Sequence, residues 1–260
     1  MALTGPPDLS HKGQVAGECA VRSCQQDRII ALARDVMRLD PATAISMADI
    51  GCYNRTVYPS VSRWKDQVDF LGVDEDPKAL RDLAEMGLPA TDAAGYAATG
   101  PRDYSFALEV IEHIRVENAP GFLATIRDRT RRAIFMTTPN FEGWDGGPPD
   151  RLQIRPDWRE MRYMPDHMRY FDADQPDPHN HKQVMTVDTL SAQLAATFPA
   201  PEWSFTVIKA WPWRLSDLAR GTHFDHYFKL FALIWRPEAF PADLTPVVDA
   251  FCARPGRQPA

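Results

Sequence analysis

A doubly wound α/β fold is the class this sequence predicts, and three observations predict it. Short apolar runs alternate with helix-like stretches from Ala44 onward. The helix-like stretches repeat their apolar residues at three- and four-residue intervals, and turn-forming residues stand at the junctions. Strands alternating with helices imply parallel pairing through right-handed crossovers.

The elements follow in order. "QQDRIIALARDVMRLDP" sets Ile29, Ala33, Val36 and Met37 at helical spacing and ends at Pro41, so residues 1–43 form a helical N-terminal extension. "AISMADI" is the first strand. "VDFLGVD" is the second, followed by the helix "PKALRDLAEMG", with Asp76 as N-cap, Pro77 in the first turn and Gly87 just past the end. "YSFALEV", the helix "APGFLATIRDRT" and "AIFMTT" continue the alternation. It breaks from Pro139 to Lys182, a stretch dense in Pro, Trp, Arg and Asp; so long an insertion predicts a lid or binding segment. Leu190, Leu194 and Phe198 mark a further helix. "WSFTVIKAW" and "YFKLFALIW" are the last strands, joined by a polar connection holding "SDLARGTHFDH", on which His223 and His226 carry no assigned role. Trp203, Trp211, Trp213 and Trp235 are expected in core or edge packing.

At 260 residues with 44% hydrophobic and 25% charged content, the chain can bury one large core, and one domain spanning 1–260 is expected. The net charge of −6 gives no general attraction to a phosphate backbone, so a nucleic-acid partner is disfavoured. No run of about 18 apolar residues occurs, and "MALTGPPDLSHKGQ" lacks the charged start and apolar stretch of a secretory signal; a cytoplasmic protein without a membrane partner is expected. Cys19, Cys24, Cys52 and Cys252 lack CxxC spacing, which argues for reduced thiols over a zinc site or disulfides. Oligomeric state is left open.

A nucleoside cofactor at the carboxyl edge of such a sheet needs a tight turn after the first strand and an acid closing the second to receive the ribose hydroxyls. Asp49 and Gly51 stand at that turn, and Asp74 follows Gly51 by 23 residues, close to the roughly 20-residue spacing of an αβ nucleotide fingerprint. Together with "DYSFALEVIEHI" and "AIFMTTPN", these residues resemble the class I S-adenosylmethionine-dependent methyltransferases over about Ala44 to Phe198. The resemblance implies a Rossmann-like, seven-stranded mixed sheet with an antiparallel C-terminal strand, and S-adenosyl-L-methionine as cofactor. In the family pattern D-x-G-x-G-x-G, Asp49 and Gly51 match, while Tyr53 and Arg55 replace the later glycines. Asn54, which tolerates left-handed dihedrals, is expected to supply the reversal there. The resemblance also implies that Asp74 binds the ribose, Asp92 lies near the adenine amino group, and Glu109 faces the methionine portion. Cys52 and Tyr53 complete the cofactor set.

Methyl transfer from a sulfonium is a direct displacement, so the protein must align the acceptor and, for a hydroxyl, remove its proton. "EVIEHI" puts His113 and Glu112 just past the strand that ends at Glu109, and His181 precedes a helix starting near Thr186. His113 is the first candidate base, with Glu112 or His181 in support; helix capping or loop bonding is the plain alternative for all three. A small-molecule hydroxyl is the expected acceptor, with nitrogen or carboxylate behind it. The lid's aromatics and its Arg151, Arg155, Arg159, Arg162 and Arg169 offer surface for that acceptor or simply meet neighbouring acids.

Glu109, Glu112, His113 and His181 also make an oxygen and nitrogen set suited to Mg²⁺ or Mn²⁺. That set resembles the metal-dependent small-RNA 3′-terminal 2′-O-methyltransferases, whose E-x-x-E-H and D-H-K-F motifs are echoed by "EVIEH" and "NHKQV". The aromatic after the lysine is missing. The segment from Phe141 to Lys182 carries five Arg and one Lys against nine acids, a poor grip for a phosphate chain. A metal-dependent RNA methyltransferase is therefore the alternative enzyme, and a non-catalytic Rossmann-like binding protein the alternative from another class.

Overall fold

The computed structural model describes residues 18–19, 25–54, 57–62, 67–140, 181–183, 185–217 and 222–253. The remaining positions, including Arg55, the lid from 141 to 180 and His179, lie outside the described residues.

Each expected strand forms, and parallel pairing accounts for their composition. β2 (Ala44–Ile50), β3 (Gln67–Val73), β4 (Ala90–Thr91), β5 (Arg102–Leu108) and β6 (Thr130–Pro139) run parallel to one another. Helices cover both faces, so β2 is buried at every residue after its first and its sequence shows no polar alternation. β7 (Ser204–Asp217) and β8 (Thr222–Trp235) close the sheet, with β8 antiparallel to β6 on one side and to β7 on the other. Added to the seven expected strands is β1 (Glu18–Cys19), which pairs parallel with β7 from within the N-terminal extension, and the order is β1-β7-β8-β6-β5-β2-β3-β4. Two residues cannot show a periodicity, which is why this strand has no sequence signal.

α1 (Gln25–Leu39), α2 (Val57–Val61), α3 (Pro77–Glu85) and α7 (Thr245–Ala253) pack on one face, where Ile29, Met37, Val61, Leu83 and Phe251 meet Met47 and Phe106. α4 (Ala93–Ala98), α5 (Ala119–Asp128) and α6 (Val187–Thr197) cover the other, where Tyr96, Leu123, Ile126, Leu190 and Leu194 meet Ile50 and Ala107. The predicted punctuation of α3 holds: Asp76 accepts from Lys78 N–H at 2.8 Å, Pro77 opens the helix, and Gly87 follows it with φ +73°. Trp203 and Trp235 are core residues, as expected.

Two expectations are corrected. The polar connection between the last strands shrinks to residues 218–221, because the β7–β8 ladder runs on through Pro212↔Tyr227 to Asp217↔Thr222 and takes His223 and His226 into β8. A ladder is built from backbone groups and continues past the point where the apolar run ends. At the first turn, Asn54 does not reverse the chain. Gly51 takes the left-handed conformation with φ +70°, and Cys52–Asn54 form a right-handed 3₁₀ turn. No described helix is long and apolar enough to cross a membrane.

Candidate functional site

Parallel pairing brings the carboxyl ends of β2, β3, β4, β5 and β6 to one edge, and with them Asp49, Asp74, Asp92 and Glu109. Gly51 closes the first turn by donating to Val73 O at 2.8 Å. A side chain there would collide with Val110, since a Cβ on Gly51 would lie 2.4 Å from Val110 Cγ2. Tyr53 is 54% exposed. Cys52 is fully buried, and burial, with Asp49 and then Asp74 nearby, pushes its thiol up to about 12, so it stays neutral.

Asp49 is buried, and Oδ2 has no hydrogen-bond partner among the described residues. Burial first, and the neighbouring Asp74 second, raise its carboxyl to about 8. Asp74 anchors its own loop through Oδ1, which accepts from Asp76 N–H at 2.9 Å, while its backbone N–H donates to Thr91 O at 3.1 Å. Asp92 caps α4 by accepting from Gly95 N–H at 2.7 Å, and Glu75 accepts from Ala93 N–H at 2.9 Å. The carboxylate assigned to the adenine end is thus also a helix cap.

Glu109 is the one non-glycine among the described residues with positive φ, at +61°. A left-handed residue without glycine's freedom costs of order 1 kcal/mol, and such strain persists where surrounding contacts enforce it. Here Glu109 N–H donates to Thr137 O at 3.0 Å, and its Oε2 is paired with the ammonium of Lys229. Lys229 is 2% exposed and pairs in the ladders with Pro139 and Ala210. Burial draws its ammonium down toward about 7, and the carboxylate against it opposes that pull. Glu109 Oε1 is buried and has no hydrogen-bond partner among the described residues.

The short turn Ile111–His113 then presents Glu112 and His113. Glu112 is 1% exposed, and burial raises it to about 8 even though Thr138 Oγ1 donates to its Oε2 at 3.0 Å. His181 is placed here because the 181–183 segment is strapped to this turn. The N–H groups of Lys182 and Gln183 both donate to Glu112 O, at 2.6 and 3.3 Å, and Gln183 Nε2 donates to the carbonyls of Ile111 and Ile114 at 2.6 and 2.9 Å. The His113 and His181 rings stand edge to face with centroids 4.9 Å apart. Glu112, His113 and His181 each offer an oxygen or nitrogen, and these atoms lie within 4.8 Å of one another.

The four-residue metal set read from the sequence is thereby reduced: Glu109 is on Lys229 and does not join the cluster of three. His113 and Lys182 also border a cleft of about 440 Å³ between α4 and α5, whose wall includes Tyr96, Phe122 and Ile126. Lys229 and Thr138 are the site residues that sequence reasoning missed. The available signal was a single lysine inside the otherwise apolar run "YFKLFALIW".

The architecture has known counterparts. The chain is similar to the small RNA methyltransferase HEN1, at 17% identity and TM-score 0.53 over 81% of this chain, and it spans only 25% of the length of that one. It is similar to the plantazolicin methyltransferase BamL, solved with a triazolic desmethylPZN analog and SAH, at 10% identity and TM-score 0.54, covering 82% of this chain and 86% of that one. A SAM-dependent methyltransferase from Archaeoglobus fulgidus matches at 13% identity and TM-score 0.51, covering 82% and 95%. No family model matches the sequence, and no curated protein does. At these identities the likeness is one of fold: the chain has the class I S-adenosylmethionine-dependent methyltransferase fold that the sequence resemblance implied.

Proposed function

We propose that this chain is an S-adenosylmethionine-dependent methyltransferase acting on a small-molecule acceptor, a hydroxyl above all. The observation that carries this reading is the gathering of four acids at the ends of neighbouring parallel strands, with Asp49 Oδ2 and Glu109 Oε1 buried and without hydrogen-bond partners among the described residues. Such a carboxylate-rich edge fits a ligand bearing a sulfonium and an ammonium. When bound, S-adenosylmethionine supplies an electrophilic methyl group.

The chain's own residues do the rest. Asp74 accepts from the ribose hydroxyls, Asp92 serves the adenine end, and Gly51, Cys52 and Tyr53 form the turn that the cofactor lies against. Asp49 and Glu109 meet positive charge. His113, at the rim of the α4–α5 cleft, takes the proton from the acceptor hydroxyl, and the edge-on ring of His181 and the carboxyl of Glu112 hold it in place. The apolar wall of that cleft excludes water and suits a flat or aliphatic acceptor.

Titration calorimetry with S-adenosylmethionine tests the proposal, and micromolar binding is expected. At pH 7 the Asp49 carboxyl, raised to about 8, is mostly protonated. A cationic ligand favours its carboxylate, so binding releases close to one proton and tightens as pH rises toward 8. The heat then varies with the ionisation enthalpy of the buffer, and Asp49→Asn removes that variation. Absence of any heat at millimolar cofactor ends the reading.

A second reading is favoured by the cluster of three. One carboxylate and two imidazoles within 4.8 Å fit a divalent ion of the Mn²⁺ class, with Glu112, His113 and His181 as its ligands. On this reading the acceptor is a ribose 2′-hydroxyl and the substrate an RNA, and small RNA is what the similar HEN1 methyltransferase is named for.

A further inference from the structure

The site's two loop carboxylates are held apart by two different partners. Glu112 is bonded by Thr138 from β6, and Glu109, three residues earlier, is bonded by Lys229 from β8. Neither partner is free to drift. Thr138 is 0% and Lys229 2% exposed, and both sit in the central β6–β8 ladder, where Thr138 faces Leu230 and Pro139 faces Lys229. A buried ammonium has no other described acidic side chain paired with it, so it stays on Glu109. Glu109, for its part, is fixed in a left-handed backbone that aims it toward β8 instead of along the turn that carries Glu112 and His113.

We propose that Lys229 is a positioning residue that withholds Glu109 from a divalent cation at Glu112, His113 and His181. The wild-type chain then offers such an ion three ligands and leaves the rest of its coordination shell to groups from outside the protein, as catalytic metal sites do. This rests on the second reading above. Lys229 acts in two ways, by occupying the carboxylate and by placing a positive charge beside the site. Removing it frees Glu109, three residues before Glu112 on the same loop, to become a fourth ligand and a second negative charge.

The test is Mn²⁺ binding to the full chain, followed by the electron paramagnetic resonance signal of free Mn²⁺, in wild type, Lys229→Met, Glu109→Gln and the double variant. Because ion affinity follows the number of charged ligands, Lys229→Met is expected to bind about tenfold or more tighter than wild type, and Glu109→Gln no tighter than wild type, since it leaves the Lys229 charge unpaired beside the site. The double variant is expected to return to the wild-type range, since the gain requires Glu109. A gain that survives in the double variant assigns the effect to charge alone and overturns the proposal. So does an unchanged affinity in Lys229→Met when wild type binds Mn²⁺ and His181→Ala does not; that pattern leaves the metal reading standing. If neither wild type nor Lys229→Met binds while both melt cooperatively, both ideas fall. Lys229→Gln, similar in length and polar, supplies the same comparison if the methionine variant unfolds.

Discussion

Asp74→Ala is expected to weaken S-adenosylmethionine binding by roughly a hundredfold, because a carboxylate bonded to both ribose hydroxyls contributes about 1.5–3 kcal/mol per charged hydrogen bond. The residue is well placed for this. Its backbone N–H is tied to Thr91 O and its Oδ1 to Asp76 N–H, so the carboxylate at the end of β3 is already oriented before any ligand arrives. Asp74→Asn keeps the shape and the turn while losing the charge, and an intermediate loss of about tenfold is expected, half of the full effect on a logarithmic scale. A second readout separates binding from general damage. Asp74 is one of the two causes that hold Asp49 near 8, so without it the Asp49 carboxyl titrates lower and fewer protons leave on binding at pH 7. Wild-type affinity in Asp74→Ala would remove the ribose assignment while leaving cofactor binding itself in place.

Gly51→Ala is expected to destabilise the protein by about 2–5 kcal/mol, combining ~1–2 kcal/mol for a left-handed alanine with ~1–3 kcal/mol of overpacking. Both causes are present at this residue, with φ at +70° and Val110 Cγ2 2.4 Å from the added carbon. Val110→Ala in the same chain removes the collision and leaves the backbone cost, so the double variant is expected to recover about half of the loss. Urea unfolding of the four proteins measures it. A Gly51→Ala variant within about 0.5 kcal/mol of wild type would show that neither the left-handed backbone nor Val110 resists the added carbon. Val110 immediately precedes the turn bearing Glu112 and His113. The glycine therefore matters to the candidate base as well as to the cofactor turn: pushing Val110 aside displaces both candidate functions at once.

Much of this was legible in the sequence, for identifiable reasons. Alternating strands and helices force parallel pairing, and parallel pairing sends strand ends to one edge, which with the turn and its spacing groups Asp49 and Asp74; Asp92, after a strand of only two residues, and Glu109 were assigned through the family resemblance. The Asp76, Pro77 and Gly87 signals are local chemistry and came through intact. What escaped was non-local. Lys229 meets Glu109 across 120 residues, through an antiparallel strand whose register no local pattern specifies. Expecting Asn54 to supply the reversal overlooked that Gly51, with no Cβ, had already taken the left-handed conformation. The metal set was read four residues wide because spacing along the loop cannot show that one carboxylate is spoken for.

The strap at 181–183 has a practical consequence for redesign. Thr138 in β6 and Lys182 beyond the insertion both contact Glu112, one through its carboxylate and the other through its carbonyl, so the two stems of the 141–180 stretch are pinned to a single residue. Neither bond involves a residue of the intervening stretch, and doubling a loop's length costs only about 0.6 kcal/mol in closure entropy. Positions 141–180 are therefore expected to accept grafts of different length, with the bonds from Thr138 and Lys182 to Glu112 kept.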